Sequence, residues 1–96
     1  MDRNHLRKTI VDVLKTSDVK KASLFGSIVS GEFTSESDID ILIEFDDKNN
    51  KSLFDLIELK SLLEEKTNFR IDLLTYDSVA PDMRKYICDC SESIYG

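Results

Sequence analysis

The spacing of apolar residues changes period along the chain, and each change marks an element. Leu6, Ile10, Val13 and Leu14 fall at i, i+4, i+7 and i+8, which predicts a first amphipathic helix over residues 2–16. Residues 20–25 follow as a short strand candidate that ends at Gly26. Residues 26–37 carry Gly26-Ser27 and Gly31, and they read as a turn with room for one helical turn. From 38 to 45 the period becomes two. Ile39, Ile41, Ile43 and Phe45 line one face of this strand, and Asp38, Asp40, Leu42 and Glu44 line the other. The first set reads as core and the second as the rim of a cleft.

After a polar loop at 46–51, Ser52 is placed to cap a helix over 53–66 with Asp55 in its first turn. Leu53, Leu56, Ile57, Leu59, Leu62 and Leu63 give that helix a broad stripe suited to packing on a sheet. Residues 69–75 read as a third strand, with Ile71 and Leu73 on one face and Arg70, Asp72 and Leu74 on the other. Pro81 suits the first turn of a last helix over 81–90, with Met83 and Ile87 facing inward. The expected class is α/β, a small sheet packed by helices.

At 96 residues the chain is expected to be a single domain over 1–96, with little length to spare for a separate substrate domain. Nineteen acidic against 13 basic residues give a net charge of −6, which argues against a surface built to grip a long nucleic acid. A nucleotide is still allowed, because a bound cation can carry the positive charge. Cys88 and Cys90 are too few and too close for a disulfide framework, so a reducing, cytoplasmic setting is expected. The polar first eight residues hold no signal core, and no apolar run approaches the ~20 residues of a membrane span.

The alternation sends Asp38 and Asp40 to the same side, about 6–7 Å apart along the strand. Two such carboxylates repel unless a cation lies between them, and Mg²⁺ takes oxygen ligands together with substrate phosphates. Gly26, without a Cβ, lets an anion approach the backbone, and Ser27 adds a hydroxyl and an N–H at a possible helix start. Asp72 joins Asp38 and Asp40 if its strand is their neighbour. Three carboxylates on one face would suit two divalent ions in an in-line phosphoryl displacement, with Asp72 also placed to take a proton from the attacking hydroxyl. The remaining polar candidates have plainer readings. His5 sits among polar residues and should face solvent, and Cys88 and Cys90 point to different helix faces. Tyr76, Tyr86 and Tyr95 are candidates for modification or an interface, which packing explains as well.

Gly26-Ser27, ten residues, then Asp38-x-Asp40 and a later strand aspartate, Asp72, together resemble the nucleotidyltransferase superfamily that includes DNA polymerase β. In length and layout the chain is similar to its minimal branch, the MNT-type antitoxins paired with HEPN-domain ribonuclease toxins. The resemblance implies a polymerase β-like fold and transfer of AMP from ATP to a tyrosine of the toxin. It implies catalytic and metal-binding Asp38, Asp40 and Asp72, nucleotide contacts from Gly26, Ser27 and Ser37, and two Mg²⁺ ions as cofactors. A HEPN-domain toxin is the implied partner, in a hetero-oligomer. One departure stands out: many relatives carry an arginine just before the second glycine, where this chain has Ser30, which leaves Arg70 or Arg84 to supply that positive charge. Two further readings stay open, an antitoxin that neutralises by binding alone and a small-molecule, aminoglycoside-type nucleotidyltransferase.

Overall fold

The computed structural model describes residues 3–26, 31, 34, 36, 38–46, 52–82 and 91–96. Helix α1 spans Arg3–Lys15, strand β1 Val19–Phe25 and strand β2 Ile39–Phe45. Helix α2 spans Leu53–Thr67 and strand β3 Ile71–Thr75, followed by a 3₁₀ turn at Tyr76–Ser78 and strand β4 at Glu92–Tyr95. The strands form one mixed sheet in the order β3-β2-β1-β4. β1 runs antiparallel to β2 and to β4, and β2 runs parallel to β3. A parallel pair needs a long crossover, and α2 supplies it.

One face of the sheet is covered by the two helices. Leu6, Ile10, Val13 and Leu14 of α1 are buried, as their helical spacing requires. They meet Leu59 and Leu63 of α2, Ala22 and Leu24 of β1, and the β2 row Ile39, Ile41, Ile43 and Phe45. Ile71 and Leu73 extend this core under β3. The N-terminus of α2 is closed by Ser52, whose backbone N–H and hydroxyl both donate to Asp55 Oδ2, at 2.8 and 3.1 Å. Its C-terminus ends on Asn68 in the left-handed conformation (φ 61°), whose N–H returns to the Glu64 carbonyl at 2.9 Å. No helix among the described residues is long and apolar enough to cross a membrane.

Four features differ from the sequence reading. β1 starts at Val19, and a bulge between Val19 and Lys21 lets Val19 and Ala22 both face the core while Lys20 and Lys21 stay outside. Leu42, expected on an open rim, is 1% exposed. The 3₁₀ turn packs on β2, and the Tyr76 hydroxyl bonds Ser23 Oγ at 2.7 Å, directly across from Leu42. Leu53 and Ile57, expected in the core stripe, are 69% and 50% exposed, because only the turns from Leu56 onward reach the sheet. β4 was absent from the sequence reading; it pairs with the free edge of β1, and Glu92 forms an ion pair with Arg7 of α1. Pro81 and Asp82 are helical, whereas the rest of the expected last helix, with Met83, Ile87, Cys88 and Cys90, lies outside the described residues.

Candidate active site

The face of the sheet turned away from the helices carries the charged row. Asp40 is the second residue of β2 and Asp72 the second of β3, and the parallel register sets them directly beside one another. Asp72 and Asp38 both lie close enough for their charges to act on Asp40. Asp40 is only partly exposed, so burial raises its carboxyl first, and the charges of Asp72 and Asp38 add to this. Together they push it from 3.8 to about 6. The condition left open by the sequence, that the two strands be neighbours, is met. Asp38 and Asp72 are exposed.

Two local bonds hold β3 at this height. The Ile39 N–H donates to the Arg70 carbonyl at 2.9 Å, which locks the start of β2 to the approach of β3. The Ile71 N–H donates to Glu64 Oε2 at 3.1 Å, which ties the first residue of β3 to the last turns of α2. Asp72 follows immediately. Arg70 is exposed and, by strand alternation, lies on the side of Asp72.

Gly26 closes β1 on the opposite flank of β2. Phe25 pairs with Asp40, and Gly26 has φ +79°, a conformation that residues with a Cβ rarely adopt. A Cβ built on it would collide with Asp40 Oδ2 and stand 3.2 Å from Asp40 Cγ. The glycine therefore leaves a cradle against the carboxylate where a side chain would otherwise be. Ser27, Ser30, Ser37 and Arg84 lie outside the described residues.

The donor set is hard oxygen, which suits Mg²⁺. Among the described residues, no three Asp, Glu, His or Cys side chains stand close enough together to hold a metal ion by themselves. Mg²⁺ commonly keeps waters and takes one or two carboxylates with substrate phosphates, so these residues fit an ion that is completed by a bound triphosphate.

Further along the same face, Lys21 Nζ stands 4.5 Å above the Tyr76 ring and 3.8 Å from Glu44. Tyr76 is engaged in packing, and Tyr95 pairs with Ala22 across the β1–β4 edge. Tyr86 lies outside the described residues, and His5 is exposed as expected. The pairing of Tyr76 with Ser23 escaped the sequence reading, and no spacing rule links those two positions.

Comparison with known proteins places this arrangement. The model of the family described as polymerase beta, nucleotidyltransferase, matches residues 8–96. A candidate protein adenylyltransferase of Methanocaldococcus jannaschii is 42% identical over 87 residues, covering 91% of this chain and 91% of its own length. A solved candidate minimal nucleotidyltransferase superposes with a TM-score of 0.81 at 26% identity, covering 95% of this chain and 94% of that one. The MNT antitoxin in complex with the tri-AMPylated HEPN toxin of Shewanella oneidensis has the same fold, with a TM-score of 0.77 at 20% identity over 99% of this chain and 73% of that one. With its Asp40–Asp72 row beside Gly26 and a family match over nearly its whole length, the chain belongs to the polymerase beta nucleotidyltransferase family.

Proposed function

We propose that this chain, as a single domain over residues 1–96, is a Mg²⁺-dependent protein adenylyltransferase. In this reading it transfers AMP from ATP to a tyrosine of a HEPN-domain toxin and thereby acts as the antitoxin. The observation that carries the reading is the Asp40–Asp72 pair, set side by side by the strand register next to a glycine that only a missing Cβ keeps open. Family membership supports nucleotidyl transfer, the M. jannaschii relative supports a protein acceptor, and the S. oneidensis complex supports AMP as the group moved and a HEPN protein as the recipient.

Asp38, Asp40 and Asp72 would hold the metal, and Gly26, Ser27 and Ser37 would face the triphosphate. Bound Mg²⁺ supplies charge neutralisation for both the carboxylates and the phosphates. The acceptor oxygen attacks the α-phosphorus and its hydroxyl proton passes to Asp72. The bond from that phosphorus to the bridging oxygen breaks, and pyrophosphate leaves with the electron pair. The positive φ of Gly26 supports an approach of the phosphates to the backbone there, and the register that pairs Asp72 with Asp40 supports Asp72 as the base.

The test is intact-mass analysis of the HEPN toxin from the same genome after incubation with the chain, ATP and Mg²⁺. The expected result is a gain of whole adenylyl groups on the toxin, absent with the double variant Asp38→Asn/Asp40→Asn. Neutralisation by that variant, equal to the parent and with no mass gain in either case, would overturn the enzymatic reading in favour of binding alone. Adenylylation of an aminoglycoside by the isolated chain would move the assignment to a small-molecule acceptor.

A further inference from the structure

Between α1 and α2, on the side of the molecule away from the carboxylates, two adjoining cavities of about 230 and 350 Å³ share Thr16 and Leu62 and form one groove. Its floor is apolar, made by Val13, Phe45, Leu59 and Leu62. Its rim is acidic: Asp12 on α1, Asp18 after it, and Asp55 and Glu58 on α2, against Lys66 at one end. Glu58 is one helical turn from Phe54, so the rim continues onto the outer face of α2. There Phe54 is 78% exposed at the lip of the groove, whereas Leu53 and Ile57, also exposed, project from the other side of α2. Phe54 therefore extends the apolar floor across the acidic rim, as a large ring at the edge of the groove.

We propose that this face docks a basic amphipathic helix of a protein partner. Such a helix would lay its apolar side on the groove floor and the Phe54 ring, and set lysines or arginines against Asp12 and Glu58. The other occupants fit worse on charge. A second copy would bring an equally acidic rim on a chain of net charge −6, and an anionic membrane surface would meet the same repulsion. The groove lies on the opposite side of the sheet from Asp40 and Asp72, so a partner can be held there while the carboxylate face stays open. The inference concerns docking alone and stands whether or not AMP is transferred.

The probe is a short synthetic amphipathic helix of leucine and lysine, titrated into the isotope-labelled chain without ATP and followed by amide shifts. A helix of leucine and glutamate is its control. The expected result is saturable binding of the lysine helix alone, weakened by salt, with shifts gathered on Thr9, Asp12, Thr16, Glu58 and Leu62. Asp12→Lys/Glu58→Lys, a change at exposed positions, should weaken it about tenfold or more, and Phe54→Ser severalfold. Shifts centred on Asp40 and Asp72 or on the β3 edge, or an unchanged affinity in the charge-reversed chain, would overturn the proposal. So would sedimentation showing a dimer that Phe54→Ser dissolves, because the face would then belong to a second copy. Because the titration needs no nucleotide, its failure and a failure of adenylyl transfer are read separately.

Discussion

Asp40 is a carboxyl whose proton is held first by burial and then by the charges of Asp72 and Asp38. Its folded value of about 6 lies above the ordinary 3.8, so between those two values the folded chain holds a proton that the unfolded chain has released. Stability contributed by this group is therefore present at low pH and is lost as pH rises through about 6. Asp40→Asn removes the cost of the buried charge. In the metal-free protein it should raise the melting temperature at neutral pH by a few degrees, since about 1 kcal/mol moves a domain of this size by ~4–8 °C. The gap should close as pH approaches 4, which differential scanning calorimetry across that range will check. Gly26→Ala acts on the same carboxylate from the other side. Its methyl would collide with Asp40 Oδ2 at a backbone angle of +79°, so a loss of roughly 1–2 kcal/mol in urea unfolding is expected, together with loss of AMP transfer.

At the scale of elements, the candidate site depends on where β3 begins. The Glu64 carboxylate receives the Ile71 N–H, one residue before Asp72, and so couples the end of α2 to the height of that aspartate. Glu64→Ala leaves this N–H without its acceptor and should cost about 1–3 kcal/mol, with a fall in transfer rate as β3 loosens. Glu64→Gln keeps an acceptor oxygen and should restore most of both, as unfolding curves and initial rates will test. The sequence made much of this visible, because the elements that build the core carry their own period. The four positions of α1 and the alternating row from Ile39 to Phe45 are buried as their spacing requires. What stayed hidden was decided between elements. Glu92-Ser93-Ile94-Tyr95 has no pattern of its own and is a strand because β1 offers it an open edge. Leu42 is buried on the strand against which the distant 3₁₀ turn packs, and Tyr76 of that turn bonds the serine across from it. The meeting of Asp72 with Asp40 was legible only as a condition, since the alternation gives the face of a strand but not its neighbour.

For the molecule as a whole, the carboxylate row and the missing cage make one linked prediction. A carboxylate pair, Asp40 and Asp72, with the charge of Asp38 in reach but no three groups placed to hold an ion, should bind Mg²⁺ weakly on its own and ATP weakly without Mg²⁺, because each leaves like charges facing one another. Together they complete each other's coordination and charge. Thermal melting should therefore respond little to either alone and clearly to both, since a ligand at about 100 times its dissociation constant adds ~2.7 kcal/mol. With Asp40 as a ligand, as the proposed function has it, Mg²⁺ binding displaces the proton on Asp40. The combined shift should hold above pH 6 and shrink below it, with affinity falling up to about tenfold per pH unit. Asp40→Asn should lose the shift at every pH while remaining folded, which separates loss of the ligand from loss of the protein. A full response to Mg²⁺ alone would mean that the three aspartates close on the ion before the nucleotide arrives. A response that ignores pH would mean that Asp40 is not among the groups the ion meets.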